Sequence, residues 1–188
     1  KIAGKDFGIG MNPEFLREGI AVADFMIPDR IILGGSDDLT HNIMRELYEP
    51  FGDIDTVITN NKTAEMIKYA SNSLLATLIS FSNEIGNLSS TLGGIDAKEV
   101  MEGVHLDKRI SPILEDGRRV TPEITTYLEV GCGFGGSCFS KDVDALISHG
   151  DSVNNPMHIL KSVMLINKIQ PLEMVNRIIK HYPDMNGL

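Results

Sequence analysis

The sequence predicts an α/β segment of about 60 residues followed by a mainly α-helical domain organised around one long helix. Three observations carry that expectation. Short apolar runs alternate with one helical pattern before residue 60. Apolar residues then recur at helical spacing from Thr63 to Leu92 almost without charge. Two further helical patterns close the chain, at 141–150 and from Pro156 onward.

Residues 6–10, DFGIG, and 29–35, DRIILGG, read as strands, the second buried and ending in glycines. Residues 36–50 read as a helix with Ser36 as N-cap and acids in the first turn, and 54–59 as another strand. This is too little for a complete doubly wound domain and reads as the tail of one. Leu74, Leu78, Phe81, Ile85, Leu88 and Leu92 form a stripe spaced 4, 3, 4, 3, 4, close to a coiled-coil seam. Between Leu74 and Leu92 Glu84 is the single charged residue, so the helix from Thr63 to Leu92, about 45 Å long, is expected to be covered on every face. A helix buried inside one domain and a helix packed on a partner subunit both answer to that, and the lack of charge favours the partner.

Residues 93–107 read as a turn and a short amphipathic helix, and 108–130 as loop ending in a short apolar piece, TYLEV. KDVDALISHG (141–150) reads as a helix closed by Gly150. Pro156 opens a last long helix, which Pro171 is expected to kink or restart and which ends near Tyr182–Pro183.

With 188 residues, 42% of them hydrophobic, the chain can bury a core in one or two domains. Its net charge of −9 argues against a general nucleic-acid binder. No apolar run reaches the length of a membrane span, and the first residues carry no signal-peptide pattern. Cys132 and Cys138 are expected to be reduced thiols in a cytoplasmic protein.

The stretch GCGFGGSCFSKD (131–142) satisfies G-x-G-x-x-G literally, but no second strand follows, so the dinucleotide-binding unit fails. The glycines instead permit a tight backbone path that delivers Cys138 to the start of a helix, whose positive end favours a thiolate. Asp142 falls one turn beyond Cys138. Glu14 and Glu18 would share a face if FLREG forms a helical turn, and Lys68 and Asn72 share one at the start of the long helix. An amine, an amide, carboxylates and a thiol suit oxidation at carbon through a covalent adduct.

NPEFLREG (12–19), PDRIILGG (28–35), AEMIKYASNSLLATLISFSNEIGNL (64–88), LDKRI (106–110) and GFGGSCFSKDVDAL (133–146) together resemble the UDP-glucose/GDP-mannose dehydrogenases, in that family's order. The resemblance implies the C-terminal part of an NAD-binding Rossmann domain at 1–60. It implies a central helical dimerisation and catalytic domain at 61–155, and a connecting helix at 156–188 toward a further nucleotide-binding domain. It implies oxidation of a nucleotide-sugar 6-hydroxymethyl to a carboxylate with two NAD and no metal, UDP-glucose first, UDP-N-acetylmannosamine or GDP-mannose as alternatives. Cys138 would be the nucleophile, Lys68 and Asn72 the oxyanion donors, Asp142 and Glu18 the proton and water handlers, and Glu14 the residue orienting sugar and Lys68. Phe15, Leu16, Arg109, Phe134, Gly133, Gly135, Gly136 and Lys141 would bind substrate, with Arg109 serving the neighbouring subunit of a homodimer formed through the 63–92 helix. Glu18 and Cys138 would meet the cofactor.

Position 140 is Ser where many relatives have Pro, and the Arg109–Gly133 span is longer than in the commonest relatives. The glycine fingerprint of the NAD site and the threonine that assists the hydrolytic water are not in the chain, so the expectation for the isolated piece is no NAD turnover. Rival readings are an assembly module alone, or a thiol-redox protein using Cys132 and Cys138, whose five-residue spacer is unlike the close pairs of such proteins.

Overall fold

A computed structural model describes residues 1–3 and 5–182; the last helix ends at His181 with Tyr182 as its cap, near the expected Tyr182–Pro183, while Pro183 itself and the last residues of the 156–188 segment lie outside the described residues. The chain divides into two compact units, residues 1–71 and the residues from Asn72 onward.

In the first unit, α1 (Ala21–Met26) precedes β1 (Ile31–Gly34), α2 (Asp38–Tyr48), a 3₁₀ turn (Glu49–Phe51) and β2 (Thr56–Thr59). The strands pair in parallel, Ile31 opposite Thr56 through Gly34 opposite Thr59, with α2 as the crossover. Ile31, Ile32 and Leu33 are buried, as a continuous apolar run in a parallel sheet requires. Residues 6–10 are not a strand. Only isolated bridges form, Ala3 with Phe7 and Met11 with Gly34, because the chain touches the end of β1 through the single reciprocal pair Met11–Gly34. The cap of α2 is Asp37 rather than Ser36: its carboxylate accepts from Thr40 N–H at 2.8 Å, and that bond, with a second from the Thr40 hydroxyl, holds the Asp37 carboxyl below its ordinary range.

The long helix α3 (Asn61–Leu92) starts in the first unit and continues into the second. There it buries Asn72, Ser73, Ala76, Ser80, Ser82, Asn83 and Ser89, while Leu74, Phe81, Leu88 and Leu92 are exposed. The apolar stripe therefore lies largely on the outer face of this chain, with Leu78 and Ile85 half-buried, which goes against the alternative of a helix buried inside one domain and not against the favoured packing on a partner. Hydroxyls can line the inner face because many of them bond their own helix: Thr77 to Ser73 O, Ser82 to Leu78 O and Ser89 to Ile85 O. Gly86 is inside too, since any side chain there would collide with Val130.

After α3 come α4 (Ala97–His105), capped by Asp96; a 3₁₀ segment (Glu123–Leu128); α5 (Cys138–Ser152); and α6 (His158–His181). The core joins Ala76, Phe134, Val143, Leu160 and Val163. TYLEV gives no strand, and most of it lies in the 3₁₀ segment. Gly150 does not close α5. The helix runs on to Ser152, and Gly150 is needed because a Cβ there would sit 2.6 Å from Asn155 O. Pro171 lies inside α6, which is one continuous element through it. The donor it lacks would have met the Asn167 carbonyl, one turn back.

Candidate active site

The glycine loop and α5 set the position of Cys138. Gly133 and Gly136 take the left-handed backbone region, with φ +90° and +72°. Gly131 and Gly135 have neither a left-handed φ nor any atom within 4 Å of a hypothetical Cβ, so the chain itself does not require glycine at either place. Cys138 is the first residue of α5 and is exposed, with Ser137 Oγ 3.9 Å from its sulfur; Cys132 is also free and exposed. The thiol stands where donors of a first helical turn are unfilled, since Ser137 makes no side-chain capping bond.

Asp142, one turn into α5, is 3% exposed. Asn72 Nδ2 donates to its Oδ2 at 2.6 Å, and Lys141 Nζ stands 3.1 Å from its Oδ1. A buried carboxylate held by an amide and an ammonium is fixed in direction and keeps acceptor capacity. Phe134 is buried in the core, its ring 5.8 Å edge-on from Phe139, and its backbone N–H and C=O are both bonded to the Asn167 amide.

In the first unit Lys68 Nζ bonds Glu14 Oε1 at 3.1 Å, and Glu14 Oε2 accepts from Leu16 N–H at 2.8 Å. Lys68 also stands 5.4 Å from the Phe15 ring centroid, which carries the Arg30 guanidinium at 3.9 Å. The helical turn expected to align Glu14 with Glu18 does not form. Residues 14–17 are irregular and Gly19 turns the chain at φ +89°, so helix begins only at Ala21. The loop is held instead by Arg17, paired with Asp24 at 2.8 Å; these bonds keep the Asp24 carboxyl below its usual range. Glu18 and Leu16 are exposed. Arg109, on the exposed turn after α4, bonds Asp107 alone among the described residues, which raises its own pKa and holds the Asp107 carboxyl far below the ordinary range.

Sequence reasoning missed the amides that grip the glycine loop. Asn83 Oδ1 accepts from Gly131 N–H at 2.7 Å, and Gln170 Nε2 donates to Gly131 O at 2.8 Å. The signal was present in LINKIQ (165–170), where two amides stand one turn apart in an apolar helix.

A family model for the UDP-glucose/GDP-mannose dehydrogenase central domain matches residues 62–169, and one for the NAD binding domain of the same family matches residues 1–52. The chain belongs to the UDP-glucose/GDP-mannose dehydrogenase family. Among relatives in that family, it is 44% identical over 180 residues to a UDP-glucose 6-dehydrogenase of Rickettsia bellii, covering 95% of this chain and 38% of the relative. It is 40% identical to one from Bacillus subtilis, again over 95% of this chain and 37% of the relative. A solved UDP-glucose dehydrogenase from Pyrobaculum islandicum superimposes with a TM-score of 0.83 at 38% identity, over 98% of this chain and 39% of that one. The chain thus spans about two fifths of the length of the family members it matches. Among the described residues no helix is long and apolar enough to cross a membrane.

For the family's NAD, the residues of the first unit fit in part. The parallel β1–α2–β2 arrangement is that of a dinucleotide-binding sheet. The glycines ending β1 form no phosphate cradle, because a Cβ at Gly34 would sit 2.7 Å from Ala64 Cβ, and one at Gly35 2.7 Å from the His41 ring. The start of α2 is already occupied by the Asp37 carboxylate.

Proposed function

We propose that this chain carries the nucleophile and its supporting residues of an NAD-dependent nucleotide-sugar 6-dehydrogenase that makes a uronate, with UDP-glucose as first substrate and GDP-mannose or UDP-N-acetylmannosamine as alternatives. The exposed Cys138 at the opening of α5, one turn before a buried carboxylate fixed by Asn72, carries the reading. NAD+, when bound, supplies the hydride acceptor for both oxidations. The Cys138 thiolate adds to the C6 aldehyde, forming an S–C bond, and the carbonyl oxygen becomes an oxyanion to which Lys68 and Asn72 donate. After the C6–H bond yields its hydride, the carbon is a thioester. Water adds to it, the S–C bond breaks, and uronate leaves with the thiolate restored. Asp142 and Glu18 take and return protons. Glu14 holds Lys68, an arrangement the 3.1 Å ion pair supports.

The same reading divides the chain into a Rossmann remnant at 1–60, a central domain at 61–155 and a connecting helix at 156–188. Arg109, Phe15, Leu16, Phe134, Gly133, Gly135, Gly136 and Lys141 are its substrate contacts; the open space around Gly135 supports close approach of a ligand to that backbone. A homodimer through α3 is part of it, supported by the exposed Leu74, Phe81, Leu88 and Leu92. By itself the 188-residue chain is proposed not to turn over NAD, since its described residues build no diphosphate cradle.

The deciding experiment is the full-length protein with UDP-glucose, UDP-N-acetylmannosamine or GDP-mannose and NAD+, wild type against Cys138→Ala. Uronate from the wild type and aldehyde without uronate from the variant support the reading. Uronate at an equal rate from both overturns it.

A further inference from the structure

The residues around the glycine loop form a second layer that the proposed chemistry does not use. Asn167 on α6 binds Phe134 on both sides of its backbone: Oδ1 accepts from the N–H at 2.8 Å and Nδ2 donates to the C=O at 2.9 Å. One amide thereby stands in for a neighbouring strand. Gly133 makes room for it, because any side chain at that position would collide with Asn167 Oδ1. Gln170 is fully buried; its Nε2 donates to Gly131 O and its Oε1 accepts from Asn87 Nδ2 at 2.8 Å. Asn83 fills the remaining donor of Gly131 from α3. The loop has no secondary structure of its own between the 3₁₀ segment and α5, so side-chain amides supply the fixed partners that a strand ladder would otherwise give. Four residues after Phe134 the loop ends at Cys138.

We infer that Asn167 and Gln170 are positioning residues: they hold the 131–134 backbone so that the Cys138 sulfur meets the aldehyde carbon before the aldehyde escapes. This rests on the function proposed above and deepens it. A misplaced thiol leaves the first oxidation, which does not involve it, intact, and impairs capture of the aldehyde. The partition between aldehyde and uronate is therefore the diagnostic readout, since it does not depend on how much protein is folded.

The test compares the wild type with Asn167→Asp, Asn167→Ala, Gln170→Glu and Val163→Ala in the full-length protein. Asn167→Asp keeps the acceptor for Phe134 N–H and sets a second oxygen against Phe134 O. Val163→Ala removes buried packing from the same helix, in the cluster that includes Phe134, and leaves every amide bond to the loop in place, so it separates packing from the amide grip. The aldehyde share of product, trapped with a hydrazine, is expected to rise about tenfold in the Asn167 and Gln170 variants and to stay at the wild-type value in Val163→Ala. Amide exchange in the 131–138 peptide is expected to quicken by a similar factor while the 143–149 peptide of α5 holds. Should Asn167→Ala fail to fold, the near-isosteric Asp and Glu variants carry the same comparison. A wild type that makes uronate, with the Asn167 and Gln170 variants partitioning like Val163→Ala, overturns this inference alone. A wild type that makes no uronate overturns the proposed function and this inference together.

Discussion

Asn72 and Asp142 meet at 2.6 Å with both side chains buried, which makes the Asn72 amide a fixed donor from α3 to a carboxylate on another helix that also pairs with Lys141. Removing the donor leaves that carboxylate short of a partner. Asn72→Ala is expected to destabilise the protein by about 1–3 kcal/mol, and Asn72→Asp, which sets two carboxylates face to face, by more. Urea denaturation at pH 7 checks the order; an Asp variant as stable as the wild type would contradict it.

The glycines of the 131–136 loop should separate into two kinds. Gly133→Ala forces a side chain into a left-handed backbone and against Asn167, and is expected to cost about 1–2 kcal/mol or more. Gly135→Ala enters open space with no left-handed φ and is expected to stay within about 0.5 kcal/mol of the wild type. Melting curves of the two variants decide it. If Gly135→Ala keeps its stability while nucleotide-sugar affinity falls, that glycine serves the ligand rather than the fold.

Exposed Phe81 and Leu88 lie two turns apart on the outer stripe of α3. Burying each on a second copy contributes roughly 1.5–3 kcal/mol before the cost of association. On the proposed α3 dimer, Phe81→Lys with Leu88→Lys is therefore expected to yield a folded monomer under conditions where the wild type is expected to dimerise. Sedimentation equilibrium measures it, and a double variant that still dimerises with undiminished affinity would place the interface elsewhere.

The Asp37 cap gives a pH signature. Its carboxyl titrates lower when folded than when unfolded, because Thr40 donates to the charged form. The stability it contributes is thus fully present above the unfolded value near 4 and is lost as pH falls toward the folded one. Asp37→Asn keeps a capping oxygen and removes the titration, so its stability should fall less steeply as pH drops below about 4. A parallel decline in both proteins, followed by circular dichroism, would exclude the mechanism.

Much of this was legible in the sequence, for reasons that differ by element. The buried run IILG and the length of α3 follow from local patterns, and the glycines before Cys138 place that residue at the opening of a helix, although the helical pattern itself begins only at Lys141. The facing of α3 was not legible. Leucines mark an apolar stripe, but a helix whose hydroxyls bond their own carbonyls can bury its serines instead. Likewise Ser36 and Asp37 both suit a cap, and only backbone geometry selects between them. The amide grip on residues 131–134 joins positions 33 and 39 apart in the chain, a separation no short pattern encodes.

Within the second unit, α3 turns a nearly featureless hydroxyl surface inward, and Asn72, Ser80, Asn83 and Asn87 are the side chains that reach from it to other segments. Such a rod is keyed more like a lock with a few pins than like interlocking gears. Its rotational setting is written in those few polar teeth, so exchanging for alanine a serine that bonds only its own helix should slide by unnoticed, whereas shifting one amide by a single position would turn the whole shaft out of phase.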